Sequence, residues 1–254
     1  MSEPMPITFA SSDFQPRCFA LVPCAGVGER AGAGGPKQYH PVAGRAVVAH
    51  TLQALQAVPR LAATLVVLSP SDEQFEHHAP GFIGERAWVA RVGGATRAES
   101  VRNGLAELLA RGAQLHDWVL VHDAARCLLR PEWVERLIDA CDGDEVGGLL
   151  ALPLADTLKA SVAGEAGEAR AHQTVDRAAK WTAQTPQMFR LGLLQPALVG
   201  ALSDPATAAA VTDEASAIEV LGHAPRLVTG DFENIKVTWP GDFALAERLL
   251  ATRP

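Results

Sequence analysis

The feature that most restricts this chain is a short apolar run, Cys18-Phe19-Ala20-Leu21-Val22-Pro23, that passes directly into a glycine-rich stretch. Comparable runs, rich in Val or Leu, recur at residues 63–68, 88–92, 118–122 and 147–152. Strands buried on both faces of a sheet read in this way, as near-continuous apolar segments. Helical patterns lie between them. Within residues 96–111, Val101, Leu105, Leu108 and Leu109 fall at i, i+4, i+7 and i+8, one face of a helix, with Thr96 as its N-cap. Pro131 opens a second helical pattern over 131–141, with Val134, Leu137 and Ile138 on one side. Further helices are expected at 191–202, 213–221 and 240–250, and a strand at 234–238. The alternation predicts an α/β fold built on a doubly wound, mostly parallel sheet.

One stretch interrupts this rhythm. Residues 153–176 hold two extended, mostly polar segments on either side of Gly164-Glu165-Ala166-Gly167, the pattern of a protruding β-hairpin arm. An arm too polar to build its own core packs on something else, such as a second subunit; a mobile surface loop is the other reading. The 254 residues otherwise suit a single domain over 18–254, preceded by a flexible tail at 1–17. Met1-Ser2-Glu3-Pro4 does not open a signal peptide, and no apolar run approaches the ~20 residues of a membrane span. Cys18, Cys24, Cys127 and Cys141 form no C-x-x-C pair, which points to free thiols in a reducing compartment. A cytoplasmic protein is therefore expected. The formal net charge of −7 argues against a broad nucleic-acid surface.

The glycine-rich stretch Pro23-Cys24-Ala25-Gly26-Val27-Gly28-Glu29-Arg30 stands at the C-terminal end of the first strand, where open α/β sheets bind ligands. Glycine there lets backbone N–H groups approach phosphate oxygens. Gly26, Gly28 and Ala31 fit a dinucleotide fingerprint, but that motif needs an acid ~20 residues on, and residues 31–71 contain neither Asp nor Glu. A Walker A loop fails too, because Lys37 is followed by Gln38. An acid-free segment carrying Arg30 and Lys37 behind a glycine loop suits a nucleotide triphosphate. A tight βα turn with two solvated cations is the plainer alternative. Asp123 ends the apolar run 118–122, so its carboxylate is expected at the same ligand face, on a metal or a substrate hydroxyl, with a structural ion pair to the nearby Arg126 as the alternative. His122 is expected to pack rather than to act.

Together with Pro36-Lys37-Gln38-Tyr39, the glycine-rich segment resembles the nucleotide-binding signature of the 2-C-methyl-D-erythritol 4-phosphate cytidylyltransferases. Val121-His122-Asp123-Ala124-Ala125-Arg126, Thr174-Val175-Asp176-Arg177, Thr185-Pro186-Gln187, Thr212-Asp213-Glu214-Ala215-Ser216 and Asn234-Ile235-Lys236-Val237-Thr238 resemble later segments of that family, in its order. The match runs from about Phe19 to the last helical pattern. It implies a Rossmann-like nucleotidyltransferase sheet and the transfer of CMP from CTP to methylerythritol phosphate, with Mg²⁺ as cofactor.

By resemblance, the backbone of Cys24, Ala25, Gly26 and Gly28 cradles CTP, Gly94 and Ser100 read cytosine, and Asp123 serves the nucleotide and the metal. Arg30, Lys37, Arg177 and Lys236 form the catalytic set, while Arg126, Thr157 and Thr212 grip the second substrate. Thr157 and Arg177 flank the expected arm and reach a neighbouring subunit's site, which implies a homodimer. Ala95 and Glu233 depart from residues frequent in the family. A cytidylyltransferase for ribitol 5-phosphate, or another polyol phosphate, is the nearest alternative; a non-catalytic nucleotide-binding protein is the alternative of another class.

Overall fold

The computed structural model describes residues 15–26, 35–164 and 167–253. Strand β1 is Cys18–Pro23; a 3₁₀ turn at Lys37–Tyr39 and the minimal ladder of β2 (Pro41–Val42) and β3 (Arg45–Ala46) lead into helix α1, Val47–Gln56. There follow β4 (Leu61–Val67), α2 (Phe75–His78), β5 (Ala87–Ala90), α3 (Arg97–Ala110), β6 (Trp118–Val121), α4 (Pro131–Cys141) and β7 (Gly147–Pro153). Strands β8 (Leu158–Ala163) and β9 (Ala169–Val175) come next. After them lie β10 (Trp181–Arg190), α5 (Leu191–Ser203), α6 (Pro205–Ala210), α7 (Glu214–Val220), β11 (Arg226–Thr229) and α8 (Pro240–Ala251).

Among the described residues one seven-stranded sheet runs in the order β11-β7-β10-β6-β1-β4-β5. Every neighbouring pair is parallel except those made by β10, which runs antiparallel to both β6 and β7. The apolar runs are buried on both sides because helices cover both faces. Ala20, Val22 and Leu120 meet Leu52 and Leu55 of α1 and Leu137 of α4 on one face. Phe19, Leu21 and Val119 meet Leu105 of α3, Leu194 of α5 and Ile218 of α7 on the other. Helix α3 lies close to the sheet because Gly104 has no side chain: a Cβ there would stand 2.7 Å from both Leu21 Cδ1 and Val67 Cγ2. Thr96 caps α3 as expected, its hydroxyl accepting from Glu99 N at 3.1 Å.

Two differences from the sequence expectation bear on the site. Residues 234–238 are not a strand. Arg226–Thr229 takes the sheet edge beside β7, and 234–238 crosses the strand ends as an irregular segment. Its backbone finds partners outside any ladder: Val237 N donates to Ala125 O at 2.9 Å, and Asn234 O accepts from Arg126 at 2.6 Å. Val237 packs with Ala246 of α8, Val42 and Leu128 in a small separate core. The second difference is at the chain start. The expected tail at 1–14 lies outside the described residues, but Arg17 is tied down. Its N–H and its guanidinium donate to the buried Asp117 at 2.9 and 2.7 Å, and its carbonyl accepts from Trp118 N. Strands β8 and β9 pair with each other as an antiparallel ribbon whose residues are mostly exposed.

His122, directly after β6, is fully buried. Its Nδ1 lies 3.1 Å from Thr185 Oγ1, at the irregularity where β10 carries the cis Thr185-Pro186 bond, and its Nε2 lies 3.4 Å from Arg126 O. Burial pushes the imidazole down to about 4, so it is neutral at pH 7 and packs as expected.

Two outcomes follow from this packing. Leu105→Ala should lower unfolding free energy by about 2–5 kcal/mol in urea titrations, because it opens a cavity under a fully buried side chain. Lowering the pH from about 7 to about 5 should cost about 2 kcal/mol through His122, whose unfolded form takes up a proton before the folded form does. His122→Gln should remove that part of the pH slope; an unchanged slope would assign the loss to other groups.

Candidate active site

The C-terminal ends of β6, β1, β4 and β5 lie side by side and deliver the site. Cys24 N donates to Val67 O and Gly93 N to Leu68 O, each at 2.8 Å, which stacks the loop after β1 on the loop after β5. The contact is possible only because residue 93 is glycine: a Cβ there would stand 2.4 Å from Ala25 Cβ. Gly94 meets the same limit against Glu99 Cβ, also at 2.4 Å. The buried amide of Gln38 then donates to Cys24 O at 3.2 Å and Gly26 O at 2.9 Å, bracing the start of the glycine-rich stretch. Tyr39 anchors the same turn, its hydroxyl donating to Asp72 at 2.6 Å. Lys37 is thus fixed on a short, doubly pinned turn, and its ammonium donates to Val237 O at 2.8 Å.

These segments enclose a cleft of about 270 Å³ whose lining includes Gly26, Lys37, Gly94, Ser100, Asp123 and Lys236. Asp123 is the only acid among the described lining residues. Its Oδ1 accepts from Arg97 Nε at 2.9 Å, and its Oδ2 lies 2.9 Å from Lys236 Nζ and 3.8 Å from Arg126 Nε. Burial opposes ionisation of this carboxyl, yet Arg97, Lys236 and Arg126 outweigh it and hold it well below the usual carboxylate range. Asp123 N donates to Thr185 Oγ1 at 3.0 Å, fixing the backbone beneath it. Arg97 extends the network with two bonds to the buried Glu214, at 2.7 and 3.1 Å.

The cleft therefore unites Cys24, Ala25, Gly26, Lys37, Gly94, Ser100, Asp123 and Lys236 of the expected set. Gly28 and Arg30 lie outside the described residues. Ser100 lines the cleft, but its hydroxyl already donates to Thr96 O at 2.9 Å and accepts from Gly94 N at 3.1 Å. The Gly94–Ser100 pair thereby shapes the loop. Arg126 sits behind the cleft, with its guanidinium turned to the carbonyls of Asn234 and Ala183. It borders a neighbouring cavity of about 350 Å³ with Leu154 and Phe232. Thr157 and Arg177 are exposed just before β8 and just after β9, and Thr212 is exposed at the entry to α7; none lines the cleft of its own chain. Gln38 and Glu214 each stood inside a recognised segment without a role, and Arg97 stood as the residue after the Thr96 cap. A polar residue that folding buries gives no sign of its burial in the segment itself. Among the described residues, no three His, Cys, Asp or Glu side chains converge as a metal cage. Among the same residues, no helix is long and apolar enough to cross a membrane.

Comparison with known proteins agrees with this geometry. The family model described as "IspD: 2-C-methyl-D-erythritol 4-phosphate cytidylyltransferase" matches residues 18–252. A 2-C-methyl-D-erythritol 4-phosphate cytidylyltransferase of Laribacter hongkongensis is 57% identical over 235 residues, covering 92% of this chain and 96% of that protein. The "Bifunctional enzyme IspD/IspF" of Albidiferax ferrireducens is 56% identical over 98% of this chain, which spans only 56% of that longer protein. A crystal structure of 4-diphosphocytidyl-2C-methyl-D-erythritol synthase superposes with a TM-score of 0.79 at 40% identity, covering 94% of this chain and all of that one (100%). A cytidylyltransferase structure from Thermus thermophilus gives a TM-score of 0.72 at 33% identity, over 93% of this chain and 100% of that one. With a cleft that sets two lysines and one carboxylate against a glycine-bearing strand end, and a family match spanning almost the whole chain, this protein belongs to the 2-C-methyl-D-erythritol 4-phosphate cytidylyltransferase family.

Proposed function

We propose that the chain joins 2-C-methyl-D-erythritol 4-phosphate to CMP from CTP, with release of pyrophosphate. The observation that carries this reading is the placement of Lys37 and Lys236 around Asp123, at the strand end that presents Cys24, Ala25 and Gly26. The substrate phosphate is already an anion, so the step asks for no general base. It asks for two anions to be held in line while charge spreads over the α-phosphoryl group. Lys37, fixed through Gln38 and Tyr39, would meet the triphosphate, together with Arg30 from the glycine-rich stretch. Lys236 would orient the attacking phosphate, and its bond to Asp123 sets where its ammonium stands.

The metal reading rests on Asp123. Mg²⁺ is bound by one or two carboxylates together with substrate phosphates and water, and Asp123 offers one ionised oxygen donor in the cleft. Bound there with the nucleotide, the ion would offset repulsion between the two anionic reactants. Asp123 would hold it with the oxygens now directed to Arg97 and Lys236.

A homodimer is part of the same proposal. Thr157 and Arg177, exposed at the base of the β8–β9 ribbon, would complete the cleft of a second subunit. The ribbon and its base carry exposed apolar side chains suited to that contact, Leu158, Val162 and Trp181. A cytoplasmic setting fits the four cysteines, all of which are buried free thiols.

The reading is tested by pyrophosphate release with CTP and Mg²⁺, offering methylerythritol 4-phosphate and ribitol 5-phosphate in parallel. Release with the first alone is expected; release with ribitol phosphate alone would replace the substrate, and silence with both would favour a nucleotide-binding protein. Lys37→Ala should lower turnover by roughly 10²–10³ in a folded protein, as for one lost transition-state donor. Mixing inactive Lys37→Ala and Arg177→Ala protomers should recover about a quarter of wild-type activity, because half the dimers then hold one intact shared site. No recovery would place Arg177 in its own subunit's chemistry or outside it.

A further inference from the structure

Four charged side chains form a row from beneath α7 to the cleft: Glu214, Arg97, Asp123 and Lys236. The far end is the most firmly held. Glu214 is 1% exposed, and the segment around it is clamped by Gln187, which accepts from Ala215 N at 2.8 Å and donates to Asp213 at 2.9 Å. Glu214 takes both terminal nitrogens of Arg97, and the remaining Nε is aimed at Asp123 Oδ1. At the near end Lys236 is 40% exposed, its ammonium bonded to Asp123 on the solvent side. Rigidity thus enters the row from the buried end.

We propose that Arg97 and Glu214 are positioning residues for the nucleotide site: Glu214 fixes the guanidinium, and the guanidinium fixes the rotation of the Asp123 carboxylate. The inference rests on the reading that this cleft takes CTP. Arg97 has all three of its guanidinium nitrogens engaged by the two carboxylates, so it acts through Asp123 and does not swing to the phosphates. Without that hold, Lys236 would be the shorter of Asp123's two remaining ionic contacts and would draw the carboxylate toward solvent. A purely structural role explains the pair poorly. Burying a carboxylate and a guanidinium costs desolvation that apolar side chains of similar volume avoid. The neighbours Ala215, Ala217 and Ile218 already belong to an apolar core that could continue over this position.

The test is direct calorimetric titration with CTP, on wild type, Glu214→Gln, Asp123→Asn and the double variant. Glu214→Gln keeps the volume and removes the charge, and should weaken CTP binding about tenfold, the scale of one hydrogen bond to a charged group. In the Asp123→Asn background the same substitution should change CTP affinity by less than about twofold, because its route is already broken. Full multiplication of the two effects, or wild-type affinity in Glu214→Gln, would overturn the proposal. A second variant separates positioning from folding. Arg97→Met with Glu214→Leu leaves Lys236 on Asp123, so it should still unfold in a single cooperative transition and bind CTP more weakly; undiminished binding there would also overturn it. Wild-type protein that fails to bind CTP at all would sink the functional reading itself, and this inference with it.

Discussion

A single buried carboxylate organises this molecule. Asp123 sits at the end of a strand that is apolar and covered on both faces, where an unpaired charge would be costly. Two of its partners come from distant parts of the chain, Arg97 from the start of α3 and Lys236 from the segment before α8, while Arg126 lies in its own loop after β6. Pairing that one charge therefore ties a helix, a loop and the C-terminal crossing segment to the same edge of the sheet. The path of residues 234–238 makes sense in these terms. A strand there would extend the sheet, whereas the observed crossing brings Lys236 to Asp123 and Val237 O to Lys37.

Around that charge the site is built mainly from backbone. The loops after β1 and β5 touch at Ala25 and Gly93 because there is no Cβ at 93, and Gln38 holds the carbonyls of Cys24 and Gly26 from the other side. A cleft walled this way is pre-shaped before any ligand arrives. That suits phosphoryl chemistry, in which alignment and fixed charge supply most of the acceleration. The lysines differ in the support they receive: Lys37 stands on a turn pinned at two neighbouring residues, while Lys236 is held by one carboxylate and is partly open to solvent.

Much of this was readable from local pattern. Burial on both faces requires continuous apolar runs, so β1, β6 and β7 were visible, and Thr96 and Pro131 marked the helix starts by capping chemistry that needs only near neighbours. The position of Asp123 at a strand end placed it at the ligand face, and Lys37 followed from the acid-free segment behind the glycine loop and from the resemblance of Pro36-Lys37-Gln38-Tyr39. Residues 234–238 misled because Ile235 and Val237 alternate with polar residues as a strand would, yet their partners are Ala125, Arg126 and Lys37. The resemblance gave Arg126 to the second substrate, and what local pattern did not show is that its guanidinium is directed to Asn234 O, 108 residues away.

Sequence alone thus determined the layered α/β architecture, the glycine-bearing strand end and the residue types a nucleotide triphosphate needs, because periodicity and turn chemistry act over a few residues. Tertiary structure alone decided which charges meet. Arg97 and Glu214 are 117 residues apart, and only the entry of β10 antiparallel beside β6, where its Gln187 holds the start of α7, brings Glu214 to Arg97. An ion pair's partner is set by which strand ends become neighbours in space, and no local pattern carries that information.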